Sequence, residues 1–526
     1  MKILITEKIA QAGIDILREH TDVDVELSMK PEELQSVISD YEALIVRSQT
    51  KVTKSIIYAA KKLLVIGRAG VGVDNIDIDA ATSCGILVVN SPEGNLISTA
   101  EHTIAMLMTL ARKIPLAHNT LLSGVWDRSF KGCEVRNKIL GIIGLGRVGM
   151  EVAELAKGLG MIVITYDPMI SQTRAERLGI RMVEMEQILT ESDFVTIHVP
   201  LNSTTKGLIG EPQLRLMKPT AMIINCARGG IVDEAALYKA LEGDKLAGAG
   251  VDVFTQEPAI NNILLRSDKV VATPHLAAST VEAETSAGID IAEQVITALK
   301  GLPTKSPVNA PIISKEAISL LGPYIDVGRK IGLIAAQLIE GHIKSLTIRY
   351  EGEIARENTE PLKVAVLSGL LELLTEDRVS MVNVNLIAES RGLRITEEKE
   401  DDCENYASML TIKVETTLGE ILVSGFSLRG RTHLTRVNNY WLEIEPSGNY
   451  ILLTEHKDRP GIVGAVGTIL GNASINISQM QVSRGVIQGN KAMMLLCLDE
   501  PLTDECHQKI IAIPDMYKVY VVKLSL

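Results

Sequence analysis

Short apolar runs alternate with helical stretches through the first half of the chain, and this alternation constrains the fold more than any other feature. The first series contains five such runs, among them residues 3–6, 43–47 and 86–90. Apolar runs of this length between helical segments predict parallel strands joined by helices, because such strands are buried on both faces. Residues 1–98 are therefore expected to form a small α/β domain.

A glycine-rich turn, GIIGLGRVG at residues 141–149, opens a second series of six strand-like runs. A helical pattern from Ser98 precedes this series, and a long helix at about 279–300 follows it. Six strands after one glycine turn suit a complete dinucleotide-binding domain. The expected fold class is α/β, with two Rossmann-like or flavodoxin-like domains. The Gly/Pro/Ser-rich stretch KGLPTKSPVNAP that comes next indicates a linker.

The last third of the chain has a different pattern. Residues 313–446 mix one long helical stretch with strand-like runs, which predicts a separate α+β domain. Its charged piece at 396–404 is expected to be a solvated loop. Residues 449–526 follow the order strand, helix, strand, strand, helix, strand, which is that of a ferredoxin-like domain.

Composition excludes several classes of protein. The 526 residues carry a net charge of −12, so no overall basic surface is available for nucleic acid or anionic lipid. No two of the six cysteines form a CxxC pair, and neither a metal site nor a redox pair is predicted. The N-terminal apolar run is too short for a signal peptide, and no run is long enough for a membrane span. A cytoplasmic protein is expected.

The glycine turn is the candidate cofactor site. Gly144, Gly146 and Gly149 fill the G-x-G-x-x-G pattern, which permits a tight turn, a close pyrophosphate and close helix packing. A plain strand-to-helix turn is the alternative for the three glycines alone. Asp167 ends the next strand, where a carboxylate accepts hydrogen bonds from the adenine ribose and repels a 2′-phosphate. The cofactor is therefore expected to be NAD, with Arg147 either near the pyrophosphate or simply exposed at the helix start.

Three segments near strand ends carry residues suited to hydride chemistry on an alcohol. Arg228 supplies a cation that can hold a carboxylate and polarise an oxygen, and His275 supplies an imidazole that can exchange a proton near neutral pH. Taken singly, a loop arginine and a structural histidine are the simpler interpretations. Together with Glu257 and the glycine turn, in this order and spacing, residues 1–312 resemble the D-2-hydroxyacid dehydrogenase family.

The resemblance implies further features of this region. By analogy to the family, Glu257 is expected to orient and stabilise His275. The substrate-binding domain is expected to comprise 1–98 and 288–312, with the NAD domain, 99–287, inserted between its two parts. Further NAD contacts are implied at Val148, Pro200, Cys226, Asp252 and Ala277. His102, His118 and His198 are interpreted as structural, His198 being the one near the cofactor.

Cations in the first domain indicate the substrate class. Arg47 and Lys51 follow one strand and Arg68 ends another, which is more positive charge than one carboxylate requires. A phosphate group would use it, although ordinary solvated charges are the alternative. Over its whole length the chain resembles the long-form members of the family, which implies 3-phosphoglycerate as substrate and a homotetramer. Asn75 is a further substrate candidate, and Arg128 is expected to reach a neighbouring subunit's site.

The C-terminal domain resembles an ACT domain, a ligand-sensing module that pairs between subunits. Effector positions of serine-regulated members fall on His456, Asp458 and Asn476, which implies L-serine as an effector. Asp458 departs from the asparagine of that pattern. A further run with Arg429, Arg431 and Arg436 is either a phosphate or regulator site or, more simply, a polar loop.

Two rival functions fit parts of the sequence. One keeps the family and changes the substrate to glyoxylate or hydroxypyruvate. The other is an NAD-sensing corepressor, since such proteins share the fold and the Arg, Glu and His. The ACT-like end and the paired cationic loops argue against the corepressor.

Overall fold

The computed structural model describes residues 1–313, 317–376, 378–485 and 491–524. Its first sheet has five parallel strands in the order β2-β1-β3-β4-β5, as the first series of apolar runs predicts. The strands are β1 (Lys2–Ile5), β2 (Asp22–Val25), β3 (Ala43–Val46), β4 (Val65–Arg68) and β5 (Leu87–Asn90). The helices between them are α1 (Gln11–Arg18), α2 (Pro31–Val37), α3 (Lys54–Ala59) and α4 (Ile78–Ser83).

Helices α5 (Leu96–Ala111) and α6 (Ile114–Leu122) lead to a second parallel sheet, ordered β12-β11-β10-β9-β6-β7-β8. Its strands are β6 (Ile139–Ile143), β7 (Ile162–Tyr166), β8 (Arg181–Met182), β9 (Phe194–Ile197), β10 (Met222–Asn225), β11 (Gly248–Val251) and β12 (Val270–Ala272). Its helices are α7 (Arg147–Gly158), α8 (Gln172–Arg177), α9 (Met185–Glu191), α10 (Glu211–Leu216) and α11 (Glu234–Glu242). The six predicted strands are present, and β8 is a short seventh at the sheet edge.

One helix, α12 (Val281–Leu299), returns the chain from the second sheet to the first. It packs closely on α1, since a Cβ added to Gly13 would lie 2.3 Å from the carbonyl oxygen of Gly288. Its apolar residues Ile291 and Val295 are buried against β4. The predicted linker then runs along β5, where the N–H of Val308 donates to the carbonyl of Val88. The first sheet is thus formed by residues 2–90 and covered by α12 and the linker, which come from the end of the first 313 residues.

The next part is a mixed sheet ordered β14-β13-β15-β16-β17-β18, with only β13 and β14 parallel. The strands are β13 (Ile343–Gly352), β14 (Arg394–Glu400), β15 (Ser408–Thr416), β16 (Glu420–Leu428), β17 (Arg431–Val437) and β18 (Tyr440–Ile444). The helices are α13 (Ile318–Leu338), α14 (Glu360–Leu371) and α15 (Val384–Ser390). Short 3₁₀ turns occur at Ile38–Asp40, Ile263–Arg266 and Glu353–Arg356.

Two segments predicted as loops lie partly or largely in strands instead, and only 401–404 of the charged piece lie outside β14. The charged piece at 396–404 begins inside β14, an edge strand whose carboxylates meet partners on β13: Glu397 accepts from Tyr350 at 2.8 Å, and Glu398 pairs with Arg349 at 2.9 Å. The arginine run lies largely in β17. There Arg436 donates to the carbonyl of Asn438 and Arg431 pairs with Glu445 at 3.0 Å. Cross-strand partners such as Tyr350 and Arg349 cannot be read from local sequence.

The last sheet has four antiparallel strands in the order β20-β21-β19-β22. They are β19 (Tyr450–Lys457), β20 (Ile477–Arg484), β21 (Lys491–Leu498) and β22 (Met516–Lys523), with helices α16 (Ile462–Asn472) and α17 (Asp504–Ile511). The helices cover one face. The other face carries Leu453, Leu495 and Val522 into the same core as α13 of the mixed sheet. In the described part of the chain, no helix is long and apolar enough to cross a membrane.

Candidate active site

His275 and Glu257 form a close pair at the carboxyl end of the second sheet. Glu257 follows β11 and His275 follows β12, and these strands are adjacent, so their C-terminal loops meet. Nδ1 of His275 lies 2.8 Å from Oε2 of Glu257, while Oε1 accepts the N–H of Phe254 at 3.1 Å. The carboxylate is therefore anchored on one oxygen and directs the other at the imidazole. This leaves Nε2 of His275 available for a substrate proton.

A buried carboxylate holds the loop that carries His275. Asp252 is 0% exposed, and it accepts the hydroxyl of Thr273 at 2.6 Å and the N–H groups of Leu276 and Ala277. His102 Nε2, from α5, lies 3.4 Å from the same carboxylate. Burial raises the pKa of Asp252, but the hydrogen bonds from His102, Thr273 and the backbone outweigh it, so the pKa lies below its usual value. Asp252 is thus an ionised anchor of the loop.

His102 therefore has partners that its local sequence does not reveal. Its Nε2 also lies 3.2 Å from Oγ1 of Thr273, next to the His275 loop. His102 and Thr273 are separated by 171 residues, so no spacing pattern in the sequence predicts their contact.

Arg228 lies in the turn after β10 and faces the first domain. Asn225 shapes this turn, because its amide donates to the carbonyl of Arg228 and accepts the N–H of Ala227. Gly229 allows the turn to touch the Glu257 loop, since a Cβ there would lie 1.9 Å from the carbonyl oxygen of Phe254. The guanidinium Nε of Arg228 lies 3.3 Å from the carboxylate of Asp74. Arg228 is thus set between the His275–Glu257 pair and the first domain.

Three guanidinium groups meet across this gap. Arg68 is half-buried, and burial, followed by the charges of Arg228 and Arg47, lowers its pKa to about 10, despite nearby Glu7 and Asp74. Its Nε has no hydrogen-bond partner among the described residues. Like charges held this close repel one another in the absence of an anion. The arrangement is therefore suited to a ligand with more than one negative group.

The other proposed substrate residues differ in their surroundings. Asn75 donates its amide to the carbonyls of Arg47 and Thr50, so both of its N–H bonds are used within the protein. Lys51 is exposed at the start of the next segment. Arg128 is exposed in the irregular stretch between α6 and β6, near Trp126, which is 80% exposed. Neither cation makes a side-chain ion pair within the described ranges.

The glycine turn is shaped for a closely approaching ligand. Gly144 has φ of 95°, and a Cβ there would lie 2.6 Å from the carbonyl oxygen of His198, which directly follows the adjacent strand β9. A Cβ at Gly149 would lie 2.1 Å from the carbonyl oxygen of Gly144. Gly146 faces open space and begins α7. Exposed N–H groups at the start of this helix, at the point where the strand order reverses, suit a pyrophosphate.

The contacts of the residues around the turn are consistent with a dinucleotide site. Asp167 accepts the N–H of Leu145 at 2.8 Å, which fixes its carboxylate beside the turn. Arg147 pairs with Glu93 at 3.2 Å, and Val148 is half-buried. These contacts leave the open side of the turn free for a ligand.

The remaining proposed cofactor residues line the carboxyl ends of the central strands. Cys226 is buried, and burial together with the charge of Asp252 raises the pKa of its thiol to about 12. Ala277 is buried, whereas Pro200 is exposed. Burial lowers the pKa of His198 to about 4, so its imidazole is neutral at physiological pH. These groups add no charge where a nicotinamide ring would lie.

The three effector positions do not meet within one chain. His456 pairs in register with Ala492, whereas Ile477, next to Asn476, pairs with Leu498. At about 3.3 Å per residue, positions 492 and 498 lie about 20 Å apart. Asp458 pairs with Arg484 at 2.7 Å, and Asn476 donates to Asp499 at 2.6 Å. The two groups of residues lie at opposite ends of the sheet.

Known proteins resemble this chain over nearly its whole length. Family models match at residues 104–277, described as the NAD binding domain of D-isomer specific 2-hydroxyacid dehydrogenase, and at 320–437, described as the D-3-phosphoglycerate dehydrogenase intervening domain. The D-3-phosphoglycerate dehydrogenase of Synechocystis sp. is 43% identical, covering 99% of this chain and 95% of the relative. That of Archaeoglobus fulgidus is 44% identical and covers 96% of both chains.

A solved structure resembles the first two domains. It is a D-lactate dehydrogenase from Aquifex aeolicus complexed with NAD and lactic acid, with a TM-score of 0.52 and 27% identity. The match covers 57% of this chain and 96% of that one. The likeness agrees with the two parallel sheets that flank His275 and Arg228.

Proposed function

Since this chain belongs to the D-3-phosphoglycerate dehydrogenase family, we propose that it oxidises 3-phospho-D-glycerate to 3-phosphohydroxypyruvate with NAD, the first step of L-serine biosynthesis. The predicted family and the predicted cofactor are confirmed. The observation that carries the proposal is the His275–Glu257 pair opposite three converging guanidinium groups. A proton acceptor and a polyanion site are the two parts that this reaction requires besides the NAD site.

His275 and Glu257 act as the proton-transferring pair. Nε2 of neutral His275 takes the proton from the C2 hydroxyl as the hydride leaves C2. Glu257 accepts the Nδ1–H bond, which fixes the tautomer and stabilises the imidazolium that forms. In the reverse reaction the same Nε2 returns the proton to the C2 oxygen.

Arg228 holds the substrate carboxylate and the C2 oxygen, and Arg47 and Arg68 hold the phosphate. A guanidinium suits both groups because its N–H bonds match carboxylate and phosphate geometry. Arg228 pairs with the exposed Asp74, which a substrate carboxylate displaces. Lys51 is a further candidate for the phosphate, and Arg128 is a candidate to reach the site of a neighbouring subunit. Asn75 is a weaker substrate-side candidate, which would act through segment 47–50, since its amide N–H bonds are used there.

The glycine turn fits NAD because Gly146 opens onto free space at the N-terminus of α7, beside the fixed carboxylate of Asp167. When bound, NAD accepts the hydride from C2. Asp167 receives the adenine ribose hydroxyls, and Val148, Pro200, Cys226, Asp252 and Ala277 line or support the remaining site. We place the cleft between a substrate unit, 1–98 with 288–312, and an NAD unit, 99–287.

The C-terminal part, 449–526, acts as an ACT domain that senses L-serine, and 313–446 forms the intervening domain. His456 and Asp458 at one end of the sheet, and Asn476 at the other, support a site shared between two subunits. The exposed apolar surface around Trp126 supports a contact between subunits, as the proposed homotetramer requires, and we place the protein in the cytoplasm. Added L-serine should then lower the rate and change the thermal melt, and no effect on either would overturn this role.

The formation and consumption of NADH, followed by absorbance, test the proposed reaction. We expect turnover of 3-phosphoglycerate, and of phosphohydroxypyruvate in reverse, with much lower kcat/KM for glyoxylate and hydroxypyruvate. Preference for the unphosphorylated acids would favour the rival dehydrogenase. Absence of turnover on all four, with NAD binding retained, would favour the corepressor.

A further inference from the structure

A carboxylate lies at the carboxyl edge of the first sheet, directly beside the arginines. Glu7 follows β1 and Arg47 follows β3, and these neighbouring strands are those between which the strand order reverses. Ligands of open α/β sheets bind at this point of the sheet. Glu7 therefore lies at the expected anion-binding edge, although its own charge has the wrong sign for binding an anion.

Both carboxylate oxygens of Glu7 accept hydrogen bonds from the backbone of the segment that carries Arg47. Its Oε1 accepts the N–H of Arg47 at 2.9 Å and that of Thr50 at 2.8 Å. Its Oε2 accepts the N–H of Gln49 at 3.1 Å. Three N–H groups of the turn thus converge on one half-buried side chain, which is the way a carboxylate fixes a loop.

Asn75 holds the same segment from the other side. Its side-chain amide donates to the backbone carbonyls of Arg47 and Thr50, at 2.9 and 2.7 Å. The backbone carbonyl of Asn75 accepts the N–H of Val52. The segment 47–50 is thereby tied through five of its backbone groups. The guanidinium of Arg47 pairs with Glu284, in the first turn of α12, at 3.0 Å, and its charge acts on Arg68.

We propose that Glu7 is a positioning residue for recognition of the substrate phosphate: it folds segment 47–50 so that Arg47 faces the gap beside Arg68. Glu7 itself touches no substrate atom. The inference rests on the proposed function, since the phosphate is the group that the segment serves. Asn75 has the same positioning role, since it donates to carbonyls of the segment whose N–H groups Glu7 accepts.

Glu7→Gln tests the proposal because glutamine keeps the shape and has only one acceptor oxygen. Whichever way the amide turns, its NH₂ group faces at least one backbone N–H of the segment. We expect KM for phosphohydroxypyruvate to rise about tenfold, the loss of one charge-assisted hydrogen bond. The kcat, the KM for NADH and the kcat/KM for hydroxypyruvate, which lacks the phosphate, should stay within about threefold, as a loop effect confined to one subsite implies.

Asn75→Ala should give the same split between the two substrates, and it tests the proposal separately if Glu7→Gln folds poorly. Glu19→Gln is the matched control, since it changes an exposed carboxylate at the end of α1. It should leave the KM and kcat/KM for both substrates unchanged. Equal losses on both substrates, or no change on either, would overturn the inference. If wild-type protein fails to use the phosphorylated substrate, the proposed function itself has failed.

Discussion

Replacing Glu257 by glutamine tests whether this side chain sets the protonation of His275. The amide oxygen can keep the hydrogen bond from the N–H of Phe254, which occupies Oε1 at 3.1 Å. The amide NH₂ then takes the place of Oε2, 2.8 Å from Nδ1 of His275. Nδ1 must accept that bond, so the neutral ring carries its proton on Nε2. An imidazole in this tautomer cannot take a proton from the substrate hydroxyl.

The size of the loss follows from the exposure of the pair. General acid–base catalysis contributes about 10²- to 10⁴-fold. The side chains of His275 and Glu257 are 44% and 38% exposed, so water competes for the ring and moderates the effect. We therefore expect kcat to fall by about 10²-fold, equivalent to about 2.7 kcal/mol of barrier. The KM for NAD should change little, because neither group contacts the glycine turn.

Initial rates of NADH formation from 3-phosphoglycerate measure the effect. Glu282→Gln, which changes an exposed carboxylate in the first turn of α12, is the control and should retain wild-type kcat. If Glu257→Gln retained kcat within about threefold while folding normally, the tautomer argument would be refuted.

Three further predictions concern neighbouring groups. Asp167→Asn should raise kcat/KM with NADP relative to NAD by about tenfold or more, measured by coenzyme kinetics, because it removes the charge that repels a 2′-phosphate. The pKa of Arg68 is depressed in the folded protein, so its charge costs stability at pH values below about 10. Inorganic phosphate should therefore raise the thermal midpoint of the wild type, and Arg68→Gln should lose most of that gain; an equal gain in both would contradict the argument. Burial raises the pKa of the Cys226 thiol to about 12. Iodoacetamide at pH 8 should thus leave Cys226 unmodified in the folded enzyme and label it after denaturation, as mass spectrometry would show.

The parallel sheets could be predicted because strands buried on both faces consist of continuous apolar residues in the sequence. Residues 3–6, 43–47 and 86–90 each contain most of a strand, and the glycine turn of residues 141–149 lies where β6 meets α7. The residues of the reaction could be predicted for the same reason, since Arg228 and His275 follow such strands within three residues. Local patterns thus locate both the strands and the residues at their ends.

The missed features all depend on partners distant in the chain. Strand β14 is highly charged, and only its pairing with β13 explains why those residues are extended. The contact of His102 with Asp252 joins a helix to a loop 150 residues later. Glu7 and Asn75 became visible as a pair only once both were seen to hold segment 47–50. Side-chain bonds to backbone groups leave no periodic signal in the sequence.

The face of the last sheet that packs against α13 has a consequence for how the enzyme can be dissected. Leu453, Leu495 and Val522 complete a core that the mixed sheet cannot close without them. A chain cut near residue 446 would therefore leave exposed apolar surface on both fragments, which should aggregate, whereas a cut after residue 313 keeps the segment along β5 with the first sheet and divides no cluster of buried apolar side chains among the residues that the structure describes. The last sheet and the mixed sheet accordingly share one hydrophobic core, so a displacement of one sheet is transmitted to the other.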